Sequence, residues 1–176
     1  MENKILEVKD LNVKFSLRGK ELHAIRNLSM EVYRGETLAI VGESGSGKSV
    51  LNKNFIGLLD GNGFISGGEI LYHGLDRTEP LDLAKLKTEK EWMEIRGKQI
   101  SMILQDPMTS LNPLKTVGAQ IAEAIKIHQK LSGNDLKQAV IRLLEEVGID
   151  DAPRRYGQYP HEFSGGMRQR VVIAIA

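Results

Sequence analysis

The eight residues GESGSGKS, Gly42–Ser49, constrain the fold more than any other feature of the chain. They fit G-x-x-x-x-G-K-[S/T], follow the apolar run TLAIVG directly and precede the helix-like stretch VLNKNFIGLL. That is the strand, loop and helix context the pattern requires. Glycines let successive backbone N–H groups turn inward, and the following helix adds its positive end, so an anion is held by dipoles that a bulkier loop could not aim. The expectation is an α/β core carrying a phosphate cradle built from Gly42, Ser44, Gly45, Ser46, Gly47 and Lys48. Lys48 reaches the β- and γ-phosphates, and the Ser49 hydroxyl ligates Mg²⁺. A flexible Gly/Ser linker is the alternative, and it accounts for neither the lysine nor the flanks.

Composition narrows the classes. A chain of 176 residues with 41% hydrophobic content suits one globular domain. With 24 basic and 23 acidic residues the net charge is +1, which gives no electrostatic surplus for nucleic acid or an anionic membrane surface. Cysteine is absent, which excludes disulfides and thiolate metal sites and fits a reducing compartment. The start, MENKILEVKD, lacks a signal-like apolar core, and no run approaches the ~18 apolar residues of a spanning helix.

Texture changes along the chain. Residues 4–41 alternate apolar and polar with β-branched content, punctuated by Gly19 and Gly35 at expected turns, and read as several strands ending in TLAIVG. GGEILYHG reads as a strand between glycines, and QISMILQ as a buried one. Over 117–148, Val117, Ile121, Ala124 and Ile125 share one helical face, and Leu136, Val140, Leu143, Leu144 and Val147 a second. Asn134 is the expected N-cap of that second helix and Gly148 its C′ stop. His23, His73, His128 and His161 show no metal-ligand spacing, and Trp92 reads as a packing anchor on a charged helix.

A second constellation lies in HEFSGGMRQRVVIAIA, where Ser164, Gly165 and Gly166 precede an apolar helical run. In isolation Ser164 is simply an N-cap. Beside the first motif it suggests another helix N-terminus aimed at an anion, with a triphosphate pinched between this loop and the cradle of another copy or paralogue.

These residues resemble the ATP-binding subunits of ABC transporters, in the oligopeptide, dipeptide and nickel import branch. GESGSGKS is similar to their Walker A loop. FSGGMRQR is similar to their signature motif, with methionine where many relatives carry glutamine. LQDPMTSLNP, residues 104–113, resembles their Q-loop segment.

The resemblance implies a P-loop ATPase with an antiparallel β part, a truncated parallel core sheet and a helical subdomain. It divides one nucleotide-binding domain, 1–176, into a core and β part (1–105), a helical region (106–163) and the signature motif with the start of its helix (164–176). It further implies that Gln105 senses Mg²⁺ and the attacking water, that Phe15 stacks on adenine, and that Ser164, Gly165, Gly166 and Gln169 face the ATP of a partner subunit. The implied partners are a second ATPase subunit, membrane permeases and, indirectly, an extracytoplasmic solute-binding protein, with no nucleic acid. The implied place is the cytoplasmic face of the cell membrane.

Family members continue past the signature helix to an Asp-Glu strand and a switch histidine, for which this sequence offers no positions. The expectation is therefore that these 176 residues are a front part, inactive alone, of an importer ATPase. A non-transport ABC ATPase acting on nucleic acid or ribosomes, and a non-catalytic nucleotide-binding remnant, are the alternatives.

Overall fold

The computed structural model describes residues 3–74, 78–103 and 110–176. The chain forms two compact units, Met1–Ile100 and Ser101–Ala176.

The first unit is built on an antiparallel sheet in the order β2-β1-β3-β4. Strands β1 (Lys4–Leu17) and β2 (Lys20–Tyr33) form a long hairpin. Its two-residue turn, Arg18-Gly19, has φ of 47° and 80°, the left-handed pair that matches strand twist. Strand β3 (Gly63–Tyr72) lies on the other side of β1, and the two-residue β4 (Leu81–Asp82) closes the edge. The inward face of β1 runs Leu6, Val8, then Leu11, Val13. The one-residue slip in this alternation is a bulge, with Asp10 at φ 46° and shifted register to both neighbours, so all four side chains reach one core. Over that core lie α1 (Lys48–Asn54) and α2 (Glu89–Met93), which contribute Leu51 and Trp92 beside Leu83, Ile70 and Ile95. Helix α2 starts in a capping box, Thr88 with Glu91.

The expected strand TLAIVG is described but makes no ladder, and Leu38, Ile40 and Val41 are 43%, 38% and 87% exposed. Residues 101–103 likewise stand outside any strand, after an isolated parallel bridge from Arg96 to Ile100. A strand exists only by pairing. Among the described residues nothing pairs with either segment, so the antiparallel part of the expected α/β fold is built and the parallel core is not.

The second unit packs α3 (Val117–His128), α4 (Gly133–Glu146), the single turn α5 (Ala152–Arg155) and α6 (Gly165–Ile175). Val117, Ile121 and Ile125 are buried against Val140, Leu144, Phe163 and Val171. Ala124 is only half-buried and Ala122 takes the core position beside it. Helix α4 begins ahead of Asn134: Ser132 is the cap, without a side-chain cap bond, because Gly133 at φ 57° already turns the chain into the helix. Gly148, at φ 74°, ends it as expected.

Candidate nucleotide site

Glycine conformations shape the loop from Gly42 to Ser49. Gly45 and Gly47 have φ of 83° and 93°. Gly47 caps α1, and a Cβ there would meet the Ala24 carbonyl oxygen at 2.9 Å, so both dihedral and space demand glycine. The Ser46 amide donates to Glu43 O at 3.2 Å, closing the turn, and the Leu51 amide donates to Gly47 O at 2.8 Å as the helix starts.

Lys48 arches back over this turn. Its Nζ donates to Gly42 O and Glu43 O, both at 2.7 Å, and lies 3.3 Å from Ser46 Oγ. The ammonium is thus held at the loop's centre on a leash of two carbonyls.

Beside the loop lies a cleft of about 350 Å³. Its wall opposite Lys48 is β2, through Ala24, Ile25, Arg26 and Leu28, and Leu51 closes the apolar side. Arg26 and Lys48 are the charged groups lining it, and no carboxylate does so among the described residues. A cleft with two cations and an apolar flank can take a phosphorylated ligand with a flat organic part. Nothing local in the sequence points to Ala24–Leu28, since these residues reach the loop only through the hairpin's tertiary placement.

The other expected site residues divide. Gly42, Ser46, Gly47 and Lys48 line the cleft. Ser44 and Gly45 sit exposed at the loop tip, and Ser49 is exposed in the first turn of α1. Phe15 does not line it: the ring is half-buried and lies over Gly63, where a Cβ would come 2.7 Å from its Cε1. Gln105 lies outside the described residues.

The signature residues belong to the second unit. Ser164 Oγ accepts the Met167 amide at 3.3 Å and caps α6, whose N-terminus carries exposed Gly165 and Gly166. A Cβ at either glycine meets nothing within 4 Å, so the chain's own packing does not require them. Gln169 is exposed one turn along. Arg170, the last residue of FSGGMRQR and one given no role from sequence, donates from NH1 to Gly148 O at 2.5 Å and ties α6 to the end of α4.

Comparison with known proteins identifies the family. The ABC transporter family model matches residues 25–176. The chain is 51% identical over 175 residues to the oligopeptide transport ATP-binding protein AmiE of Streptococcus pneumoniae, covering 99% of this chain and 48% of that protein. It is 51% identical over 174 residues to the oligopeptide transport ATP-binding protein OppD of Bacillus subtilis, covering 98% and 47%. The chain therefore spans about half the length of the curated relatives it matches. Among solved structures it resembles the dimeric cassette MJ0796 bound to ADP and Pi, with a TM-score of 0.77 at 24% identity, covering 97% of this chain and 68% of that one. It also resembles cbiO1 of Clostridium perfringens, part of the ABC transporter complex cbiONQ, with a TM-score of 0.72 at 29% identity, covering 99% and 61%. With its phosphate loop and serine-capped glycine pair inside the matched span, the chain belongs to the ABC transporter ATP-binding family.

Proposed function

We propose that Gly42–Ser49 binds the phosphates of ATP and that the intact protein hydrolyses ATP to energise import of peptides or a similar solute. The observation that carries this reading is Lys48, folded back onto two carbonyls of a loop that Gly45 and Gly47 take through left-handed turns. A triphosphate arriving there exchanges those carbonyls for phosphate oxygens on the same ammonium. Arg26 and the apolar wall of β2 border the rest of the nucleotide. Phe15 takes the adenine in this reading, supported by the family resemblance and by its half-exposed ring on β1.

The donor set suits Mg²⁺. The Ser49 hydroxyl is a hard, exposed oxygen in the first turn of α1 and would hold the ion together with phosphate oxygens, and with Gln105 by resemblance. When bound, Mg²⁺ supplies charge neutralisation at the β- and γ-phosphates. Lys48 orients the γ-phosphate and neutralises charge that grows in the transition state.

Ser164, Gly165, Gly166 and Gln169 face the ATP of a second subunit in this reading, so hydrolysis belongs to a closed pair working beneath membrane permeases on the cytoplasmic face. The support is that the glycine pair is exposed and not needed by the chain's own packing. Lys48→Ala tests the centre of the proposal. A charged hydrogen-bond donor contributes about 1.5–3 kcal/mol, so ATP binding weakens about 10- to 100-fold. Equilibrium dialysis with labelled ATP measures it, and unchanged affinity removes Lys48 from the site.

A further inference from the structure

Helix α1 carries the phosphate loop at one end, and the other end is locked by a single residue about forty positions downstream. Helix α1 has only seven residues, so its last carbonyls lie about 10 Å from its first turn. In the turn that follows α1, just past its C-cap Phe55, Ile56 O and Gly57 O accept Arg96 Nε at 2.7 Å and NH2 at 3.0 Å. The same guanidinium pairs with Glu89 and lies 5.5 Å from the Trp92 ring centroid, so it joins the exit of α1 to the body of α2. The Trp92 ring completes the joint. Gly57 has φ 60°, and a Cβ there would fall 2.2 Å from Trp92 Cε2, so the indole lies flush on the backbone where α1 ends.

Arginine is the side chain this arrangement needs, because its planar fork reaches two carbonyls while its face stacks on an aromatic ring. No part of the joint lies in the cleft beside Lys48.

We infer that Arg96 is a positioning residue for the phosphate loop: it fixes the turn that leaves α1 against Trp92, so that occupation of the loop is felt at α2. The inference rests on the reading that Gly42–Ser49 binds ATP. With only seven residues, α1 has little length over which to absorb a shift at its N-terminus, so the shift passes to the pinned turn. The loop and the joint share α1, which makes their coupling reciprocal: a loosened joint weakens the loop's hold on phosphate.

Trp92 is the chain's one tryptophan, buried in the joint, and therefore reports on it directly. The test titrates the chain with Mg·ATP while following Trp92 emission, with occupancy measured in parallel by dialysis of labelled ATP. The unmodified chain gives a saturable emission change that tracks occupancy. Arg96→Lys, checked for unchanged far-UV circular dichroism, binds about 5- to 10-fold more weakly, at the low end of typical coupling, and loses the emission change at full occupancy. Lys48→Ala loses occupancy and emission change together.

Should Arg96→Lys fail to fold, Glu89→Ala serves instead: it leaves Arg96 on its carbonyls but removes its carboxylate anchor, and a reduced emission amplitude is expected. Full amplitude in the folded variant, or constant Trp92 emission in the unmodified chain at full occupancy, overturns the inference. No dialysable ATP binding by the unmodified chain overturns the nucleotide reading itself, and the inference with it.

Discussion

Ser164 and Lys48 occupy comparable places, each at the start of a helix beside glycines, yet the structure gives them different surroundings. Lys48 lines a cleft closed by β2, whereas the hydroxyl of exposed Ser164 is engaged with the Met167 amide of its own helix. Ser164→Arg therefore leaves ATP binding to the phosphate loop of a free subunit unchanged, because no residue lining that cleft belongs to α6. In an assembled pair the same substitution sets a long cation where a partner's phosphates are proposed to sit. It lowers hydrolysis about 10²-fold, the scale of losing one preorganised donor. Dialysis on the subunit and phosphate release from the pair measure the two effects separately. Equal loss of both counts against a shared site.

Among the elements, the β1–β2 hairpin shows how charge is arranged at a sheet end. Glu7 and Glu31 face each other across the ladder, a like-charge pairing that destabilises a sheet. Lys4 resolves it, with Nζ 2.6 Å from Glu31 and 3.0 Å from Glu7, and Lys9 lies 3.3 Å from Glu7. Hydrogen bonding to Lys4 lowers both carboxyls below the ordinary carboxylate range, while Glu31 and then Glu7 raise the Lys4 ammonium above the ordinary lysine value.

The signs then follow. For the two depressed carboxyls the stabilisation is complete above their unfolded pKa of about 4.3 and is lost as pH falls through the lower folded values. For Lys4 it is complete below about 10.4 and is lost only as pH rises through a still higher value. Between those limits the hairpin's stability is insensitive to these groups. Lys4→Met leaves Glu7 and Glu31 opposed, so amide hydrogen exchange in β1 and β2 at neutral pH is faster than in the unmodified chain. The difference between the two shrinks as pH falls below about 4. A constant difference down to pH ~2.5 would show that this network does not hold the hairpin end.

At the scale of the whole molecule, the loop is present but its surroundings are open. Val41, beside Gly42, is 87% exposed, Leu38 and Ile40 are partly bare, and the cleft wall offers no carboxylate to orient a water among the described residues. A general base contributes about 10²–10⁴-fold to such a reaction. The expected outcome for this chain is ATP binding without steady-state hydrolysis above a Lys48→Ala control. Phosphate release under saturating Mg·ATP measures it, and turnover clearly above that control overturns the expectation.

Near-neighbour physics made several features legible from the sequence alone. The glycine turns of the loop at Gly42–Ser49 follow from eight consecutive residues. The buried faces of α3 and α4 follow from apolar spacing, and the turns at Gly19, Gly35 and Gly148 follow from the residue that best tolerates positive φ. Tertiary structure alone decided what depends on partners distant along the chain. It shifted the inward face of β1 at the Asp10 bulge, because three strands must share one core. It left TLAIVG unpaired, because apolar alternation states a preference for a ladder and cannot supply one. It also brought Ala24–Leu28 to the phosphate loop and Arg96 to the end of α1. Neither Arg26 nor Arg96 carries a local signature, since a guanidinium acquires its role from the carbonyls, rings and anions that the fold sets around it.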